Sequence, residues 1–158
     1  MGWGILPLLL LGALALLLVS VGLEDVRTRE IANWKNAAIA IAAPLWWVAT
    51  GIAPWPDMAI QFGLAAFVFG VFALIFAAGW MGGGDVKLIG ALALWFPLQP
   101  LLWVLVVMSL AGGGITLALA IEHRLRRAEA PLEIPYGVAI AIAGLLALRE
   151  PLLNQFNA

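Results

Sequence analysis

The chain has 158 residues, 65% hydrophobic and 11% charged, with a net charge of -1 and a mean hydropathy of +1.07. A soluble domain carries about 25% charged residues, so composition excludes an ordinary water-soluble globule, and the charge balance gives no sign of a nucleic-acid partner. Cysteine is absent, which removes disulfides and cysteine-ligated zinc or iron–sulfur sites, and the single histidine, His123, cannot supply a histidine metal cluster.

The remaining charges mark out the helices. Residues 1–23, 36–56, 58–84, 88–121 and 134–148 carry none. A bilayer core of about 30 Å needs roughly 20 apolar residues as helix, and lipid offers no partner for unpaired backbone groups. The alternation of a membrane β-barrel is missing. The sequence therefore predicts an all-α, polytopic membrane helix bundle, one membrane-embedded domain over 1–158 with about six transmembrane spans.

The first span is 3–23. It lacks the basic start and small-residue cleavage site of a signal peptide, so it is expected to stay in the mature protein. The second is 34–53, with Trp46, Trp47 and Trp55 expected at the outer interface, where indole is favoured. Pro54 and Pro56 mark a short turn, in which Asp57 is expected to be solvated, and the third span is 58–79. The run 86–121 as one helix would measure about 54 Å, too long for one crossing. Pro97 and Pro100 divide it, giving spans 86–97 and 100–121. The first of these is short, so either the bilayer thins there or Asp85 lies below the surface. Gly112-Gly113-Gly114 reads as a helix-packing face. A loop at 122–134 mixes Glu122, Glu129 and Glu133 with arginines and holds His123. The last span is 135–150, where Glu150 needs no role.

Six spans put seven basic residues, Arg27, Arg29, Lys35, Lys87, Arg124, Arg126 and Arg127, on one side. By the distribution of Lys and Arg that side is cytoplasmic. Five spans would place Lys87 and the Arg124–Arg127 cluster on opposite sides.

Chemistry rests on the carboxylates, because Cys is absent and His123 stands among arginines. Asp85 ends the run Gly82-Gly83-Gly84-Asp85. One reading is a flexible turn with Asp85 capping the fourth span. The other is a functional carboxylate at the membrane edge, with glycines that let a peptide backbone approach. Asp25 leaves the first span on the same side. Two carboxylates at one depth can form a dyad that shares a proton, one activating water and the other protonating a carbonyl oxygen.

Asp25-Val26-Arg27-Thr28-Arg29-Glu30-Ile31-Ala32-Asn33 resembles the first aspartate motif of type IV prepilin peptidases, Asp-x-Arg-x-x-x-Ile-Pro-Asn. Gly82-Gly83-Gly84-Asp85-Val86-Lys87-Leu88 resembles their second, Gly-x-Gly-Asp-x-Lys-Leu. Pro135-Tyr136-Gly137-Val138-Ala139-Ile140-Ala141 is similar to their last-span segment, Pro-x-Gly-x-x-Ala. The resemblance implies a multi-pass aspartyl endopeptidase of the cytoplasmic (inner) membrane, without a cofactor. Its substrates would be prepilins or pseudopilins, from which it removes a short basic leader at the cytoplasmic face. Asp25 and Asp85 would be catalytic, and Gly82, Gly83, Gly84, Lys87 and Asn33 would bind substrate or shape the site. Size resembles the compact branch serving Flp-type pili of tight-adherence systems. Larger members add a cysteine-bearing domain and N-methylate the product, for which this chain has neither cysteines nor room.

Several roles stay open on this resemblance. Ala32 replaces the family proline, so the second span is expected to start slightly early. Asn33 is expected to cap that span rather than touch substrate. Lys87 either tunes Asp85 or reaches the interface. Glu24 is set aside for Asp25, from which it points about 100° away on a helix, and Glu24→Gln is expected to leave turnover largely intact. An archaeal preflagellin-type peptidase, a non-enzymatic scaffold and a small ion or proton transporter are the alternatives. A transporter should carry carboxylates or broken helices near the midplane, whereas here they gather at one face.

Overall fold

The computed structural model describes residues 4–126 and 134–156, with side chains through Arg149. Arg127, Glu129, Glu133, the side chain of Glu150 and the first residue of the first predicted span lie outside the described residues. Among those described there are six α-helices and no strand: α1 Ile5–Thr28, α2 Asn33–Ala49, α3 Ala59–Ala77, α4 Gly83–Ala93, α5 Leu98–Arg126 and α6 Tyr136–Phe156. They follow one another as the predicted spans do, and the protein is a membrane helix bundle. Ile5–Thr28, Pro54–Ala77 and Leu98–Arg126 are each long and apolar enough to cross a membrane.

The ends differ from expectation in ways that matter for the site. α1 continues five residues past the predicted 23, so Glu24 and Asp25 are helical. α5 has 29 residues, about 43 Å of helix. Its last turns therefore extend beyond a 30 Å core, and His123 is helical rather than in a loop. α2 begins at Asn33, one residue before the predicted span, with Ala32 as its N-cap.

α4 lies at the centre, packed on α2, α3 and α6, while α1 packs on α2 and α6, and α5 on α6. Small residues allow this closeness. A Cβ at Gly90 would stand 2.7 Å from Phe69 Cδ2, so α3 lies almost against the α4 backbone. In the glycine run of α5, Gly112 meets Tyr136 and Ala139 of α6, whereas Gly113 and Gly114 face open space; only the first belongs to a packing face.

At 11 residues, α4 rises about 16 Å, roughly half the bilayer core, so it ends inside the bundle. Carbonyls left there need donors. Gln61 Nε2 donates to Ala93 O and Phe96 O, both at 2.7 Å, and Trp47 Nε1 donates to Leu94 O at 2.9 Å. Trp95 Nε1 donates to Ile39 O at 2.9 Å, and its ring lies 5.8 Å from that of Trp46. Trp46 and Trp47 are thus core residues, contrary to the interfacial placement; Trp55 is exposed.

Gln61→Leu leaves both carbonyls without this donor in apolar surroundings. It is expected to destabilise the folded protein by about 2–4 kcal/mol, measured as a lower unfolding midpoint in mixed micelles. An unchanged midpoint would mean that the α4 end is satisfied by other groups.

Candidate active site

α1 ends just beyond Asp25. Arg29 turns into the left-handed region, with φ 57 and ψ 22, and its N–H donates to Asp25 O at 3.0 Å. Asp25 therefore lies in the last helical turn, buried at 4% exposure. A carboxylate in that position needs donors. They come from α6, the last helix of the chain: Val138 N–H donates to Asp25 Oδ2 at 3.0 Å, and Gly137 N–H faces the same carboxylate. The first turn of a helix has free N–H groups and the positive end of the helix dipole. Gly137 permits the approach, because a Cβ there would lie 2.9 Å from both Asp25 Cγ and Oδ2, and 2.8 Å from Ile31 Cδ1.

Asp85 is the third residue of α4, whose N-cap is Gly82. Gly82 N–H faces the Asp85 carboxylate, the arrangement of the reach-back half of a capping box. The glycine run is helical from Gly83 onward rather than a flexible turn. The capping and functional readings of Asp85 are therefore compatible. A Cβ on Gly84 would stand 3.2 Å from Ile31 Cβ, and one on Gly83 would stand 3.3 Å from a Phe76 ring carbon. Gly84 thus lets the start of α4 lie on the α1–α2 link.

These close approaches bring the ends of α1, α4 and α6 together. Asp25 and Asp85 line one cavity of about 560 Å³, with Arg29, Trp80, Gly82 and Tyr136 on its wall. The two carboxylates are near enough for the charge of Asp25 to act on Asp85. Asp25, Asp85 and Gly82 are thus brought together on one cavity.

Asn33 and Lys87 are not part of this cavity. Lys87 Nζ donates to Asn33 Oδ1 at 2.8 Å, and both border a separate, mainly apolar groove between α2, α3 and α4. Asn33 is the first residue of α2 and gives it no side-chain cap. Two residues from Asp85, Lys87 lies about 200° around the helix, which turns it towards Asn33. Neither the capping of α2 by Asn33 nor the tuning of Asp85 by Lys87 is what their contacts serve.

Glu24 contacts the scaffold rather than the cavity. Its Oε2 lies 2.8 Å from Lys35 Nζ and accepts the Ala32 N–H at 3.3 Å, and Lys35 also donates to Ser20 Oγ at 2.7 Å. Lys35 is 7% exposed. This set clamps the start of α2 to α1 and turns Glu24 away from the cavity. The N–H used at Ala32 is one that proline lacks, so the departure from the family motif is tied to a local bond. Arg29, Gly137 and the Glu24–Lys35 pair were not singled out from sequence. Gly137 carried a signal inside Pro135–Ala141, and Arg29 stood at a variable position of the first motif; the pair spans a bend that no helical spacing reveals.

A sequence profile described as the type IV leader peptidase family matches residues 5–117. The chain is 40% identical over 81 residues to a prepilin leader peptidase/N-methyltransferase of Pseudomonas aeruginosa, covering 51% of this chain and 27% of that protein. It is 31% identical over 160 residues to a protein of the same name from Aeromonas salmonicida, covering 93% of this chain and 50% of the relative. The chain thus spans half or less of the length of these curated relatives. No solved structure matches. The profile match includes Asp25 and Asp85 and ends before Gly137, whereas the Aeromonas match covers 93% of the chain; the contact of α6 with Asp25 is seen in the structure.

Gly137→Ala is expected to lower activity at least tenfold by displacing the Asp25 carboxylate, whereas Gly113→Ala, which meets open space, should leave it within twofold. Equal effects in a turnover assay would mean that the α6 contact is incidental. Glu24→Gln keeps the shape but leaves Lys35 without its charge partner. It is expected to cost about 1–3 kcal/mol of stability with turnover per folded molecule near wild type.

Proposed function

The chain belongs to the type IV leader peptidase family, and from that premise we propose that it is an aspartyl endopeptidase. It cleaves the short basic leader from prepilins or pseudopilins of the Flp type, at the cytoplasmic face of the inner membrane. The observation that carries this reading is the shared cavity of Asp25 and Asp85 at the ends of α1 and α4. The basic residues Arg29, Lys35 and Lys87 lie towards the same helix ends, which supports a cytoplasmic site.

The geometry suggests a division of labour. Two N–H groups of α6, those of Val138 and Gly137, face the Asp25 carboxylate against one, that of Gly82, at Asp85, and donors facing a carboxylate favour its ionised form, so Asp25 takes the base role. Asp85 carries the shared proton. Asp25 removes a proton from water as its oxygen bonds to the scissile carbonyl carbon, and Asp85 gives its proton to the carbonyl oxygen. The tetrahedral diol then collapses. The C–N bond breaks, the leaving amine takes the proton from Asp25, and a diol hydroxyl returns one to Asp85. Gly82 and the open wall beside it give an extended peptide room to reach both groups, with Gly83 and Gly84 seating the helix that bears Asp85.

Asp25→Asn and Asp85→Asn should each lower leader cleavage of a purified prepilin by about 10²–10⁴-fold with the helices intact. Cleavage at wild-type rates by either folded variant would contradict the dyad. Because the pair works with one proton, the wild-type rate should fall at both low and high pH; a rate that keeps rising with pH would contradict proton sharing. The relatives carry N-methyltransferase in their names. The proposal covers the peptidase step alone, and the mass of the new N-terminus tells whether a methyl group follows.

A further inference from the structure

Arg29 is the one non-glycine residue with positive φ among the described residues, at φ 57. An L-residue pays about 1–2 kcal/mol for that conformation, and helices that end this way use glycine or asparagine most often. An arginine held there is a local outlier, and outliers of this kind collect at ligand-binding sites.

The bend points its side chain into the cavity of Asp25 and Asp85, close enough for its charge to act on Asp25. Its Nη1 is nonetheless buried with no hydrogen-bond partner among the described residues. An unpaired buried donor is costly, and such exceptions in a folded protein call for a missing partner. Arg27, the arginine of the motif, is exposed and borders a different hollow with Glu24 and Lys35. The arginine that reaches the aspartates is therefore the one at a variable position of the motif.

We propose that Arg29 is a substrate-binding residue whose guanidinium donates to a main-chain carbonyl oxygen of the peptide beside the scissile bond. This rests on the peptidase reading above. A guanidinium has donors only, and a peptide laid across the cavity brings a carbonyl acceptor with every residue. The basic side chains of a leader would be repelled, which leaves oxygen as the partner.

The test is the binding of a fluorescent peptide spanning a prepilin cleavage site to the full chain carrying Asp25→Asn, in which position 25 cannot ionise. Adding Arg29→Gly, which suits the left-handed backbone and protects folding, should weaken binding about 10- to 100-fold while the unfolding midpoint stays equal or rises. A purely structural role would lower the midpoint, and a role confined to tuning Asp25 would leave binding unchanged; either result overturns the proposal. Arg27→Gln in the same background should bind within twofold, and an equal loss there would reduce the effect to general charge and overturn it as well. A peptide with its acidic side chains converted to amides should bind unchanged; weaker binding would assign Arg29 to a side-chain carboxylate instead. Cleavage of the peptide by the wild type is scored separately. Arg29-dependent binding without cleavage would sink the peptidase reading and leave this one standing, and a peptide neither bound nor cleaved would contradict both.

Discussion

The site depends on one constraint: a carboxylate buried at the end of the first helix has to be met by donors, and the first turn of the last helix supplies them. Asp25 cannot remain in an apolar bundle without that turn, and the turn cannot come so close with any residue but glycine at 137. The contact joins residues 113 positions apart. Between these two helix ends, α4 enters from the centre of the bundle with Asp85 in its own first turn. The surroundings of the two carboxylates differ: Asp25 accepts an N–H from a foreign helix, and Asp85 faces the N-cap of its own.

A short central helix makes the arrangement possible. Because α4 covers about half the bilayer core, Asp85 can sit where a full crossing would begin while the far end stops among Gln61, Trp47 and the carbonyls they satisfy. Lipid cannot repair an unpaired carbonyl, so those two side chains are as necessary to the position of Asp85 as the glycines on its other side. Glu24 and Lys35 hold the α1–α2 bend in the same way. Site and scaffold are thus linked by polar side chains placed inside an otherwise apolar bundle.

The helices and their order were legible because membrane spans are bounded by charges, and this chain has few. Both aspartates were legible from their motifs, and Gly137 from a third. Tertiary partnership was not. Trp46 and Trp47 look like interfacial residues until the carbonyl that receives the Trp47 N–H and the ring that packs on Trp46 are known. Asn33 looks like a cap because asparagine often is one, yet its oxygen is taken by Lys87 from another helix. Glu24 and Arg29 flank the motif aspartate in a basic stretch that reads as a topology signal. Which way each side chain turns depends on where α1 ends, and its continuation through Thr28 could not be read from hydropathy.

The meeting of α1 and α4 at the two carboxylates can be measured in native membranes, since the chain contains no cysteine of its own. Asp25→Cys combined with Asp85→Cys should cross-link rapidly with a short bifunctional thiol reagent, while Glu24→Cys combined with Asp85→Cys should not, because Glu24 faces Lys35. Equal cross-linking of the two pairs, or none in the first with both thiols reactive, would contradict a shared cavity for Asp25 and Asp85.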